Sequence, residues 1–224
     1  MKKFVALIPA RGGSKGIKNK NLVKINNKPI VDIALDFAIS SNIFSKIILS
    51  SDNKKILNRE KNKQITLHKR SKKLSTDHSL LNDTILDIIS VYNLKKDYIL
   101  IILEPTSPLR NLIDIKVAKN KIIRNNLDSY CTFAESFISP YRIWDISKSD
   151  IKPFIINENS WGPRQNFKQY YQPIGNIIAI NLENFSKKKK ILFGKMGYSI
   201  VPKKRAIDID STDDLEIVRK IMRK

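Results

Sequence analysis

Short apolar runs alternate along the chain with longer stretches in which apolar positions recur every three or four residues. The runs at 4–8, 46–50, 65–68, 98–103, 129–133, 175–180 and 198–201 predict strands, because Val, Ile and aromatic residues dominate them and polar clusters bound most of them. Residues 29–40, 52–61, 80–92 and 112–125 carry the helical period. Strand, loop and helix in repeated order predict an α/β fold with a mostly parallel sheet and helices on both faces. Ligand loops in such a fold lie at the carboxyl ends of strands. The loop after Ile8, the pair Ser51-Asp52 and the segment 104–110 all fall at such ends.

The alternation breaks over 136–172, where Pro140, Pro153, Gly162 and Pro163 are interleaved with Tyr141, Trp144, Trp161, Tyr170 and Tyr171. A stretch this aromatic is an ordered excursion, either packed on a partner or covering an active site. It interrupts what otherwise reads as one domain over 1–224, a length that supports one substantial core. Near the end, Ser211 with Asp214 three residues later predicts a capping box and a last helix.

The first chemical signal follows the first strand, in Pro9-Ala10-Arg11-Gly12-Gly13-Ser14-Lys15-Gly16-Ile17-Lys18-Asn19-Lys20-Asn21. It fits neither GxxxxGK[ST] nor GxGxxG. A glycine-rich loop that carries Arg11, Lys15 and Lys20 still offers backbone N–H groups and cationic side chains to one ligand, and polyphosphate suits both. A second signal is Asp208 and Asp210, two apart in an extended segment, so that both carboxylates share a face. Two carboxylates so placed suit Mg²⁺, which completes its shell with water and substrate phosphates. Phosphate loop and metal pair together point to nucleotide chemistry. A third is the twice-proline loop Glu104-Pro105-Thr106-Ser107-Pro108-Leu109-Arg110, which holds hydroxyls, a carboxylate and a guanidinium at fixed offsets.

The formal charge of +21 invites a nucleic-acid reading. The lysines are scattered rather than gathered on one element, and the runs at 187–190 and 203–205 read as solvated loops. Attraction of anionic substrates is the benefit expected of that charge. No apolar run approaches a membrane span and no long apolar leader opens the chain, so a cytoplasmic protein is expected. Cys131, in an apolar run, is expected to be a buried structural thiol. Neither His68 nor His78 stands out as a base.

Six segments in order along the chain resemble the acylneuraminate cytidylyltransferase family, which comprises the CMP-sialic acid synthetases and their legionaminic and pseudaminic acid relatives. They are the loop just quoted; Ile48-Leu49-Ser50-Ser51-Asp52; Arg70 with Leu74 and Asp77; Pro105 to Arg110; Arg164-Gln165; and Asp208-Ile209-Asp210-Ser211. The resemblance implies a Rossmann-like nucleotidyltransferase sheet, Mg²⁺, and a homodimer whose excursion over 136–172 reaches across the two-fold. It also implies transfer of CMP from CTP to the anomeric hydroxyl of an acid sugar, with release of pyrophosphate. Carried over by motif, Arg11, Ser14, Lys15 and Lys20 hold the triphosphate, Asn21 and Arg70 contact the cytidine, and Gly12, Gly13 and Asp77 belong to the nucleotide site. Asp208 and Asp210 hold the metal, while Glu104, Thr106, Ser107, Arg142, Arg164, Gln165 and Gln172 face the sugar.

Two departures bear on the sugar. Family members usually have Gln where this chain has Glu104, and usually have Arg where it has Gln172. One adds a negative charge and the other removes a positive one, and both act against a carboxylate sugar. They leave either a modified nonulosonate whose amine or acylamino group Glu104 can receive, or a diverged relative with weak activity, and with Asp208, Asp210 and the phosphate loop intact the first is the expected reading. The alternatives are a cytidylyltransferase for the eight-carbon acid sugar of lipopolysaccharide and, in a different class, a basic nucleic-acid-binding protein.

Overall fold

A computed structural model describes residues 2–14, 16–58, 63–147, 150–156 and 159–223. Its centre is a seven-stranded sheet of β1 (Phe4–Pro9), β4 (Lys46–Ser51), β5 (Ile65–Lys69), β6 (Ile99–Ile102), β7 (Ser129–Glu135), β10 (Tyr171–Asn181) and β11 (Met196–Ile200). The order across the sheet is β11-β7-β10-β6-β1-β4-β5. Each predicted strand is present. β10 runs antiparallel to both its neighbours, β6 and β7, and every other pairing is parallel. β10 is also longer than its apolar run over 175–180 suggests. Backbone pairing to β7 carries it back to Tyr171, across a register shift between Ile174 and Ile178.

β1 shows why its sequence reads as unbroken apolar residues: Phe4 to Ile8 are all buried, with helices on both faces. Phe4, Ala6 and Ile8 pack in one cluster with Val31 and Ala34 of α1 (Ile30–Ser40) and Ile115 and Ala118 of α4 (Leu112–Arg124). Val5 and Leu7 pack on the other face with Ile85 and Ile88 of α3 (Leu81–Val91) and Phe185 of α5 (Leu182–Lys188). Each such large side chain contributes on the order of 1.5–3 kcal/mol of burial. The sheet thus becomes a rigid frame whose loops emerge at one edge.

The last helix, α6 (Thr212–Met222), begins with the expected capping box: Asp214 N–H donates to Ser211 Oγ at 3.2 Å, and Ser211 N–H to Asp214 Oδ2 at 2.8 Å. Leu215 and Val218 of α6 pack with Ile209, Ile17, Ile25 and Ile30 in a third cluster. That cluster ties the aspartate segment to the loop after β1. The helix expected over 52–61 is described as α2 (Lys54–Leu57), and 59–61 lie outside the described residues. The run at 187–190 is not all loop, because Lys187 and Lys188 form the last turn of α5, where cations complement the helix dipole. Within 136–172 a short hairpin forms from β8 (Trp144–Ile146) and β9 (Ile151–Pro153). Two further two-residue strands, β2 (Lys24–Ile25) and β3 (Lys28–Pro29), precede α1. Among the described residues, no helix is long and apolar enough to cross a membrane.

Candidate active site

The chain steps from β1 to β4 and β5 on one side, then returns to place β6 on the other side of β1. This reversal makes a crevice at the carboxyl edge, the usual ligand site of an open α/β sheet. A cleft of about 380 Å³ lies there, with Arg11 and Lys20 from the loop after β1 and Arg70 from the end of β5. Thr76, Asp77 and Thr84 wall it on the side of α3, and Glu104, Thr106, Asp208 and Asp210 on the side of β6. Three cations and four carboxylates, Asp77 among them, therefore meet at the sheet edge.

Two of the three cations are held by carboxylates of the protein. Arg11 Nη1 donates to Asp77 Oδ1 at 2.9 Å and to the carbonyl of Thr76 at 3.3 Å. Lys20 Nζ donates to Asp210 Oδ1 at 2.8 Å. The loop itself is anchored from two sides: Gly12 N–H donates to Asp52 Oδ1 at 2.8 Å, and the buried Asn21 Nδ2 donates to the Arg11 carbonyl at 2.8 Å. Asn21 lines the cleft, whereas Gly12, Gly13 and Ser14 do not. A Cβ at Gly13 would meet nothing within 4 Å, so the loop is open there. Lys15 lies outside the described residues.

The aspartate segment owes its presentation to Ile209. That side chain is fully buried, and its N–H donates to the Thr106 carbonyl at 2.9 Å. Extended backbone on either side then delivers Asp208 and Asp210 to the cleft. Asp208 Oδ1 accepts from the buried Ser107 hydroxyl at 3.2 Å. Upstream, Arg205 makes a two-pronged pair with Asp114 at 2.6 and 3.0 Å, and Asp114 with Asn111 completes the capping box of α4. Arg205 is thus an anchor for this segment and not part of a solvated run.

Glu104 sits partly buried beside Asp208, and burial, then that neighbouring charge, push its carboxyl up to about 6. Beneath it lies Arg110, buried, whose Nη2 donates to the Glu104 carbonyl and whose Nε donates to the Asn176 carbonyl at 2.9 Å. Burial lowers the Arg110 guanidinium to about 10, against the opposing pull of Glu104, Asp208 and Asp114. Arg110 Nη1 and Thr84 Oγ1 are buried polar atoms with no protein partner among the described residues. Arg110 is the guanidinium expected of the twice-proline loop, whereas Thr84 was missed from sequence because a threonine on an apolar helix looks ordinary. Cys131 is buried as expected, its thiol pushed up to about 12 by burial.

The residues expected at the sugar divide between two places. Glu104 and Thr106 line the cleft, with Ser107 buried beneath them. Arg142, Arg164 and Gln165 line a separate hollow of about 540 Å³ under the excursion, with Glu135, Phe167 and Lys203. There Arg142 Nη2 donates to the Gly162 carbonyl at 3.1 Å, and Arg164 pairs with Glu135 at 3.1 Å. Gln172 lines neither, and its Oε1 accepts from Phe137 N–H at 3.2 Å. One chain does not gather the seven, because β7 and β10 carry the excursion away from the cleft edge.

A divalent cation fits the donor set of the cleft. Asp208 and Asp210 are oxygen ligands on one wall, and the Lys20 ammonium already sits on Asp210 as a cation would. Among the described residues no third acidic, histidine or cysteine ligand joins them, which suits an ion that keeps waters and takes phosphate oxygens.

Residues 5–143 match the model of a cytidylyltransferase family. The chain is 28% identical over 214 residues to the N-acylneuraminate cytidylyltransferase of Streptococcus agalactiae serotype V, covering 95% of this chain and 51% of that protein. It is 26% identical over 228 residues to the pseudaminic acid cytidylyltransferase of Campylobacter jejuni, covering 97% and 95%. The chain therefore spans about half the length of the first of these relatives and nearly all of the second. Among solved structures, CMP:2-keto-3-deoxy-manno-octonic acid synthetase complexed with CTP aligns at a TM-score of 0.69 and 16% identity, covering 99% of this chain and 98% of that one. The 2-C-methyl-D-erythritol 4-phosphate cytidylyltransferase of Francisella tularensis aligns at a TM-score of 0.69 and 15% identity, covering 98% and 99%. These structural likenesses show the Rossmann-like nucleotidyltransferase fold, and with more than half its length matched by the family model, the chain belongs to the cytidylyltransferase family.

Proposed function

We propose that the chain is a cytoplasmic, Mg²⁺-dependent enzyme that transfers CMP from CTP to the anomeric hydroxyl of a nonulosonic acid, releasing pyrophosphate. The observation that carries this is the cleft at the sheet reversal, where Arg11, Lys20 and Arg70 face Asp208, Asp210 and Glu104. The relatives named for acylneuraminate and pseudaminic acid support the sugar class.

In this reading Arg11 and Lys20, with Gly12, Gly13, Ser14 and Lys15 of the same loop, neutralise the triphosphate. Asn21 and Arg70 hold the cytidine, and Asp77 holds Arg11 until phosphate replaces it. Asp208 and Asp210 would hold Mg²⁺, which when bound supplies charge neutralisation at the phosphate oxygens. Little covalent work is left to the chain: the sugar hydroxyl attacks the α-phosphorus as its proton passes to a carboxylate of the cleft, the bond to pyrophosphate breaks, and aligned charge lowers the barrier. Glu104, Thr106 and Ser107 would orient the sugar. Arg142, Arg164, Gln165 and Gln172 would serve it from the excursion, and their separation from the cleft favours service across a homodimer.

A panel of nucleotides against acid sugars, scored by pyrophosphate release, tests the proposal. Release that requires CTP, Mg²⁺ and a nonulosonate is the expected result. Release only with the eight-carbon acid sugar would move the substrate, and no release with any sugar, together with salt-sensitive duplex binding, would overturn the enzyme.

A further inference from the structure

His68 is not the isolated histidine its surroundings in sequence suggest. It is 3% exposed, and Ser50, its register partner on the adjacent strand, is fully buried. His68 Nδ1 lies 2.8 Å from Ser50 Oγ, and His68 Nε2 lies 2.9 Å from Asp87 Oδ2 on α3. Ser50 Oγ is in turn 3.2 Å from Arg70 Nε, and the Ser50 carbonyl is 3.3 Å from Arg70 Nη2. Four polar residues thus run in an unbroken line from the flank of α3 to the wall of the cleft.

The polarity of that line follows from donor chemistry. An ionised carboxylate only accepts, so Asp87 requires a proton on His68 Nε2, and the proposed line takes the tautomer that carries its single proton there. Nδ1 is then an acceptor, and the Ser50 hydroxyl donates to it. The hydroxyl's lone pairs are left facing Arg70, whose Nε–H can only donate. Every hydrogen bond in the line is used in one direction, and its end point is the orientation of one guanidinium. Arg70 needs such support, because burial acts against its charge, the nearby Arg11 adds to that, and the Asp52 carboxylate is the neighbour that favours it. A plain core would place apolar residues at 50 and 68, as at Ile48 on the same face.

We propose that Asp87, His68 and Ser50 form a buried positioning relay that fixes Arg70 in the nucleotide half of the cleft, so that His68 governs CTP binding without touching CTP. The inference rests on the nucleotide reading of the cleft. His68 is a positioning residue and takes no part in proton transfer to substrate.

The test combines CTP affinity, measured by calorimetry with Mg²⁺, and kcat at saturating CTP with the acid sugar turned over in the panel. Arg70→Ala is expected to weaken CTP binding. Ser50→Ala and His68→Leu are expected to weaken it about fivefold, the worth of one ordinary hydrogen bond, with kcat within about twofold of the parent. His68→Asn retains an acceptor for Ser50 and should recover most of the loss. In the Arg70→Ala background, Ser50→Ala should add nothing further. If buried Ser50 or His68 variants do not fold, Asp87→Ala, which changes a side chain 38% exposed, carries the same expectation. An Arg70 effect without any relay effect, or relay losses that persist undiminished in the Arg70→Ala background, would overturn the relay alone. Unchanged CTP affinity in Arg70→Ala would overturn the relay and, with it, the nucleotide role of Arg70.

Discussion

A methyl group added at Gly16 would run into the main-chain oxygen of Asp210. The glycine-rich loop and the paired-aspartate segment, 194 positions apart in the chain, are therefore in backbone contact, closer than any side chain permits. Their separation sets how far the loop's cations stand from the two carboxylates. Gly16→Ala must push the strands of chain apart, and misplacement by about 1 Å can cost on the order of 10²-fold in rate. Because the contact lies at the rim, the stability loss should stay within about 1–3 kcal/mol. Thermal denaturation alongside pyrophosphate release checks the pair; parent-like activity would show that the contact does not position the site.

Glu104 offers a pH test with a definite sign. Its carboxyl titrates at about 6 in the folded chain, raised by burial and by Asp208, against 4.5 as its ordinary value. The folded state therefore binds the proton more tightly, and the group's contribution to stability falls as pH rises from about 4.5 to about 6. Glu104→Gln removes the ionisation, so the variant should gain up to about 2 kcal/mol above pH 6 and nothing below pH 4.5. The same change removes a negative charge from the sugar wall. It should raise kcat/KM for N-acetylneuraminate by about tenfold relative to amine-bearing acid sugars. Equal loss on every acid sugar would count against Glu104 as a selector.

Asp210 and Asp208 should separate stability from metal use. The Lys20–Asp210 pair joins a side chain 18% exposed to one 74% exposed, an arrangement worth at most about 1 kcal/mol. Asp210→Asn should leave the melting temperature nearly unchanged while raising the Mg²⁺ concentration needed for half-maximal activity. Asp208→Asn, which also loses charge opposite Ser107, should lose activity at any Mg²⁺ concentration. Chelation should abolish parent activity and added Mg²⁺ restore it. Activity that survives chelation would exclude the metal role.

Local rules carried most of the fold. β1 announced itself because both its faces are buried, and α6 because Ser211 and Asp214 satisfy the first backbone N–H groups from nearby in sequence. The cleft was legible where chemistry is carried by residue type, as in the cations after β1 and in Asp208 and Asp210. What sequence could not show depends on distant pairing. The antiparallel course of β10 is set by its two neighbours, the anchoring of Arg205 by Asp114 spans 91 positions, and the His68 line closes only when α3 lies over β4 and β5. The sugar residues looked like one set because motif order says nothing about which cavity a side chain lines.

The excursion gives the last prediction. Ile146, Phe154 and Trp161 are 73%, 68% and 93% exposed in a single chain, next to Ile151 and Ile156 at 64% and 66%. Apolar side chains this exposed along one excursion are what an association surface requires, and a second copy of the chain is the cover proposed here. Sedimentation should give a dimer at micromolar concentration, with a melting temperature that rises with protein concentration. Ile146→Glu with Trp161→Ser should give a monomer whose sheet unfolds cooperatively but whose KM for the acid sugar is raised more than its KM for CTP. That asymmetry is expected because Arg142 and Arg164 lie on the excursion while Arg11 and Lys20 lie in the cleft. A monomeric parent, or a monomeric variant with unchanged sugar KM, would show that the excursion serves its own chain alone.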